Sequence, residues 1–92
     1  MTPRSWLYVP GHRADRVVKA LSSGADAVVV DLEDAVPPDQ KTAARETAVR
    51  LAGSADRPLW VRVNDPTGPW GEADLDALAG RDLAGLRVPC HP

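Results

Sequence analysis

The 92-residue chain has a single cysteine, Cys90, so no disulfide can form within it and a reducing compartment suits it. That cysteine and two histidines are too few for a zinc site of the usual spacing. The chain does not open on the apolar stretch of a signal peptide, and no run approaches the length needed to span a membrane. Net charge is -2, with acids and bases interspersed, which excludes the basic face that nucleic acid or an anionic membrane would require. Internal repeats and low-complexity tracts are also missing. These absences lead to the expectation of one cytoplasmic domain, residues 1–92, binding neither nucleic acid nor membrane.

What is present is a 43% hydrophobic content, ordinary for a globular chain, and one stretch that stands out. Ala27-Val28-Val29-Val30 is an unbroken apolar run, and Asp31, Glu33 and Asp34 close it. Such a run reads as a strand buried on both faces, the usual state of a parallel strand under helices. The carboxylates then lie at the strand's C-terminal end, where α/β sheets and barrels place their chemistry. Side chains alternate along a strand, so Asp31 and Glu33 are expected on one face and Asp34 on the other. Carboxylates gathered this way serve a cation, a metal or a substrate, or else cap the next helix and pair with a nearby arginine.

The rest of the chain alternates in period. Ser5 to Val9 is aromatic and β-branched, a first strand stopped by Pro10-Gly11. Ala14, Val17, Val18 and Leu21 fall on one face of a helix, with Gly24 suited to its C-terminal turn. After Pro37-Pro38, Asp39 is an N-cap candidate for a second helix through Ala44, Ala48, Val49, Leu51 and Ala52, ended by Gly53-Ser54. Leu59 to Asn64 reads as a third strand, with Leu59, Val61 and Val63 on one face and Trp60, Arg62 and Asn64 on the other. A short helix from Glu72 to Ala79, closed by Gly80, and a strand from Leu83 to Val88, stopped by Pro89, complete the pattern. The order β-α-β-α-β-α-β implies right-handed crossovers and a parallel sheet.

Arg62 projects from a strand end, and its guanidinium matches carboxylate geometry. It would either meet a substrate carboxylate or close a salt bridge with Glu33 or Asp34. Pro10-Gly11-His12-Arg13 lies at the same mouth, where a turn and two basic groups could meet an anion, although Pro-Gly is a common turn. Cys90 and His91 are sequence neighbours whose side chains point apart on an extended segment, which argues against a dyad. Trp6, Trp60 and Trp70 read as packing residues.

Arg4-Ser5-Trp6-Leu7-Tyr8-Val9-Pro10-Gly11, then Gly24-Ala25-Asp26-Ala27 running into Asp31-Leu32-Glu33-Asp34-Ala35-Val36, then Arg62-Val63-Asn64, resemble the N-terminal part of the citrate lyase β-subunit family. This is the CitE-like branch of the HpcH/HpaI aldolases, which includes malyl-CoA and citramalyl-CoA lyases. The resemblance runs from about Arg4 to Pro89 and implies the first half of a TIM (β/α)8 barrel. It implies a Mg2+-dependent carbon–carbon lyase. Such an enzyme splits a citryl-, malyl- or citramalyl-type thioester, on coenzyme A or an acyl-carrier protein, into an acetyl thioester and a 2-oxo acid. It further implies that Arg62 clamps the oxo-acid carboxylate, with Asn64 and Gly11 in the substrate-binding set. Glu33, with Asp31 nearby, would organise water around a metal whose direct ligands come from strands beyond residue 92.

The fourth strand of that family commonly ends in Pro-Lys-x-Glu, and here the stretch is Pro89-Cys90-His91-Pro92. The expectation is therefore a truncated lyase, silent alone, whose full-length form is a homo-oligomer. The alternatives are a small non-enzymatic α/β binding module and a half barrel that pairs with a separately encoded partner.

Overall fold

In the computed structural model, residues 5–52, 59–81 and 83–88 are described. The apolar run forms β2 (Ala27–Asp31), buried at all five positions. It lies between β1 (Trp6–Pro10) and β3 (Leu59–Arg62), and β4 (Leu83–Arg87) follows β3, giving the sheet order β1-β2-β3-β4. Every neighbouring pair is parallel. Sequential order without a reversal is that of a barrel wall; a doubly wound sheet reverses its strand order at a switch point. Helices α1 (Ala14–Leu21), α2 (Lys41–Ala52) and α3 (Gly71–Leu78) make the three crossovers, and a 3-10 turn over Pro38–Gln40 leads into α2.

Alternation along the strands sorts the side chains into two faces. Val9, Val28, Val30, Leu32, Leu59, Val61 and Val63 pack with Val17, Ala20, Ala44, Ala48 and Leu78 of the helices into one core. Trp6, Tyr8, Asp31, Trp60, Arg62 and Arg87 lie on the opposite, concave face, as the pairings Pro10 with Asp31, Asp31 with Arg62 and Arg62 with Arg87 require. There Trp6 meets Trp60 edge-on with centroids 4.9 Å apart. A methyl group added at Gly85 would enter the Trp60 ring, so the missing side chain is what lets that indole lie across β4.

The structure modifies several expected details. Val18 is 53% exposed, and Ala20 takes the core place assigned to it. Pairing on β2 ends at Asp31, so Glu33 belongs to the following turn and not to a strand face. Asp39 lies within the 3-10 turn, where Pro37 holds the preceding cap position without a side-chain bond. β3 ends at Arg62, although Val63 and Asn64 remain buried beyond it. Gly24 and Gly80 do take positive φ, 87° and 76°, where the chain leaves α1 and α3. Gly53, Ser54, Pro89, Cys90, His91 and Pro92, named above, lie outside the described residues.

Candidate active site at the strand ends

Asp31 and Arg62 are register partners at the C-terminal ends of β2 and β3, and their side chains meet on the concave face. Arg62 donates from Nε to Oδ1 at 3.0 Å and from Nη2 to Oδ2 at 2.6 Å, a bidentate pair. Asp31 is 2% exposed and also accepts the backbone N–H groups of Glu33 (2.8 Å) and Ala35 (3.1 Å). Those two bonds are why β2 stops here: the carboxylate folds the next residues into a turn around itself. Burial alone would push the Asp31 carboxyl up, but the Arg62 hydrogen bond and the two amides outweigh it and hold it below the usual range. The same bond to Asp31 raises the Arg62 guanidinium above its ordinary value.

The ion pair expected of Arg62 with Glu33 or Asp34 thus forms principally with Asp31. Glu33 Oε1 stands 3.9 Å from Arg62 Nε, close enough to feel the charge and too far for a hydrogen bond. Asp34 is exposed in the turn after β2, beyond the strand alternation that was expected to place it, and adds a weaker pull on the Arg62 charge. The Arg62 guanidinium lies over the Tyr8 ring at 5.1 Å, which fixes its plane from the β1 side. Asp31 takes two of five guanidinium N–H groups, and the others donate no hydrogen bond among the described residues, which suits them to an anion on this face.

Gly11 and Asn64 also reach this end of the sheet, facing inward. The Gly11 amide donates to the Asp31 carbonyl at 2.8 Å, and a Cβ there would press on Leu32, Ala44 and that carbonyl. Asn64 is 4% exposed and committed at both ends of its amide. Its Oδ1 accepts Lys41 Nζ at 2.8 Å and its Nδ2 donates to Asp74 Oδ2 at 2.7 Å. His12, in the Pro10-Gly11-His12-Arg13 turn, has a buried Nδ1 without a partner among the described residues, and Arg13 pairs with Asp15 at 3.7 Å.

Lys41, Asp74 and Arg45 form a polar network that the sequence reading missed. Lys41 Nζ gives its remaining donors to the carbonyls of Leu32 (3.2 Å) and Glu33 (2.8 Å). Asp74, fully buried, accepts Arg45 Nε at 2.8 Å and the Asn64 backbone N–H at 2.9 Å. One chain of bonds therefore ties the turn after β2, both following helices and the end of β3. Two signals were available: a lysine in the first turn of a helix opposes the helix dipole, and Asp74 interrupts the apolar stripe of Leu75 and Leu78. Beside this network a cavity of about 300 Å³ opens, lined by Glu33, Lys41, Asn64, Asp65 and Trp70.

The described residues bring no three His, Cys, Asp or Glu side chains together around a metal-sized point. With Asp31 spent on Arg62 and two amides, the residues present do not make a magnesium site on their own. What the arrangement can do is hold a guanidinium, rigid and charged, toward an anion.

The chain is 40% identical over 89 residues to a (3S)-malyl-CoA thioesterase of Cereibacter sphaeroides, covering 94% of this chain and 31% of the relative. It is 35% identical to citrate lyase subunit beta of Escherichia coli, covering 96% of this chain and 30% of that one. The citrate lyase beta subunit of Mycobacterium tuberculosis, solved with oxaloacetate and magnesium, superposes with a TM-score of 0.77 at 37% identity, covering 91% of this chain and 37% of that one. Protein CitE of M. tuberculosis, also 37% identical with a TM-score of 0.77, has been solved with magnesium and pyruvate, and with magnesium, acetoacetate and coenzyme A. The chain thus spans about a third of the length of these relatives. The family model described as HpcH/HpaI aldolase/citrate lyase matches residues 4–91, and the chain belongs to that family.

Proposed function

We propose that these residues supply the carboxylate-handling half of a Mg2+-dependent carbon–carbon lyase site. The reaction cleaves a citryl-, malyl- or citramalyl-type thioester to an acetyl thioester and a 2-oxo acid. The observation that carries the reading is Arg62: a guanidinium fixed by Asp31 and Tyr8, with N–H groups left over, at the C-terminal end of a parallel sheet. The oxo-acid and magnesium complexes of the M. tuberculosis relative support it.

In this reading Arg62 binds the carboxylate of the 2-oxo acid and offsets charge that grows on the adjacent oxygen during bond cleavage. Asp31 is the positioning residue that holds Arg62 in plane, and Glu33 orders water at the site. Asn64 and Gly11 shape the substrate side through the turns they lock. Magnesium is ligated by side chains outside these 92 residues, so the chain alone does not turn over. The carrier is coenzyme A or an acyl-carrier protein, the full-length form is a homo-oligomer, and the compartment is the cytoplasm. No helix among the described residues is long and apolar enough to cross a membrane.

The test is to follow the Arg62 Nε–Hε resonance of the 92-residue chain while titrating pyruvate, with magnesium chloride present. A saturable shift that Arg62→Met abolishes is expected. No shift would remove the carboxylate role, and magnesium-dependent cleavage of malyl-CoA by the purified chain would overturn its proposed silence.

A further inference from the structure

Lys41 opens α2 and turns its ammonium into the turn that follows β2, where it is 7% exposed. Its Nζ donates to the Leu32 carbonyl at 3.2 Å, the Glu33 carbonyl at 2.8 Å and Asn64 Oδ1 at 2.8 Å. Three acceptors match the three N–H groups of an ammonium, and the Trp70 ring lies against it with its centroid 5.2 Å away. All three oxygens are neutral, and a cation in the first turn of a helix gains nothing from the helix dipole. The charge therefore serves the turn.

Opposite charges grip that turn from two sides. The Glu33 and Ala35 amides donate to the Asp31 carboxylate, while the Leu32 and Glu33 carbonyls accept from Lys41. The Leu32 amide is tied as well, to the Arg62 carbonyl at 2.9 Å. Glu33 is thus held by both its N–H and its C=O, between a carboxylate and an ammonium. With the backbone fixed, only side-chain torsions remain to it, and Oε1 stands 3.9 Å from Arg62 Nε. The strands that frame this turn, β2 and β3, are the two inner strands of the sheet, so the arrangement does not depend on the sheet's outer edges.

We infer that Lys41 is a positioning residue whose charge, and not its bulk, holds Glu33 beside Arg62. This rests on the proposed role of Glu33 and names what puts that residue in place. A neutral side chain of similar length would fill the space and lose the three bonds.

The experiment follows the Arg62 Nε–Hε resonance of the 92-residue chain. Glu33→Gln removes a charge 3.9 Å from Nε and should shift that resonance. In a Lys41→Met background the same substitution should shift nothing, because Glu33 no longer stands at Arg62; Lys41→Arg should keep part of the shift. In Lys41→Ala, propylammonium restores the missing carbons and the ammonium, and it can enter by the cavity that Lys41 lines. It should bring the E33Q shift back, and 1-propanol should not, which separates charge from filled space. Should these variants fail to fold, the wild-type chain decides: its Lys41 ammonium signal should be protected from exchange with water and coupled to the Leu32 and Glu33 carbonyl carbons. A freely exchanging ammonium, an E33Q shift that survives in K41M, or equal rescue by propanol overturns the inference and leaves Glu33 its role. No E33Q shift in the wild type overturns both.

Discussion

Asp31 is a carboxylate whose charge is retained because everything around it was arranged to keep it. Its burial favours the neutral form, and four hydrogen bonds from three residues reverse that preference. A carboxyl held below its usual range in the fold contributes stability that is complete above the unfolded value near 3.8 and is lost as pH falls through the lower, folded value. Arg62→Met should therefore destabilise the chain by about 2–3 kcal/mol at neutral pH, since it strands a buried carboxylate with two amides only. The penalty should shrink as pH falls through that acid range, because a protonated Asp31 no longer requires the guanidinium. Urea unfolding of both proteins from neutral pH down to the acid limit of folding measures this directly. A penalty independent of pH would mean that Arg62 stabilises by packing on Tyr8 and not by its charge.

Between elements, the network through Lys41, Asn64, Asp74 and Arg45 does what no single helix–strand contact could. It fixes the turn carrying Glu33 relative to the end of β3, and thus Glu33 relative to Arg62. Asp74→Ala removes the acceptor shared by Arg45 and both nitrogens of Asn64, leaving buried donors unpaired. A loss of about 3–4 kcal/mol is expected, with Asp74→Asn losing less because it keeps one acceptor. Thermal unfolding of the two variants checks the ordering; equal losses would show that only the space filled at position 74 matters.

The network also marks where sequence reading reached its limit. Four strands, three helices and a parallel sheet follow from the Val28-Val29-Val30 run, the Leu59-Val61-Val63 alternation and the βα rhythm, because burial periodicity is a local property of the chain; the barrel-wall order came from the family resemblance. Arg62 and Asp31 were legible as charges at strand ends for the same reason. Their pairing was not, because it depends on a register in which Asp31 faces Arg62 and the strand stops before Glu33. Strand alternation put Asn64 on the face of Arg62, but it is turned inward by Lys41 and Asp74, partners 23 and 10 residues away. Tyr8 escaped notice because a cation over a ring leaves no mark on spacing.

At the scale of the whole molecule, the sheet is a wall whose outer strands, β1 and β4, each have one neighbouring strand among the described residues. Leu7 and Tyr8 on β1 are 38% and 42% exposed, and Leu86 on β4 with Val88 just beyond it are 40% and 51% exposed. A groove of about 300 Å³ runs beside β1, lined by Leu7, Tyr8 and Ala20. A parallel strand edge with apolar side chains on both borders is a template for another strand, and a monomeric α/β domain ordinarily covers it. The chain taken by itself should therefore self-associate, its mean mass by light scattering rising with concentration. Leu86→Lys should lower that tendency by placing a charge on the β4 edge, with little change in the circular dichroism of the monomer. Mixing with a polypeptide carrying the remaining barrel strands of a relative should convert the assemblies to a one-to-one species, since those strands offer the same edges a native register. If the chain stays a monomer across the whole concentration range, the two edges are closed in solution by contacts the four-stranded sheet does not contain.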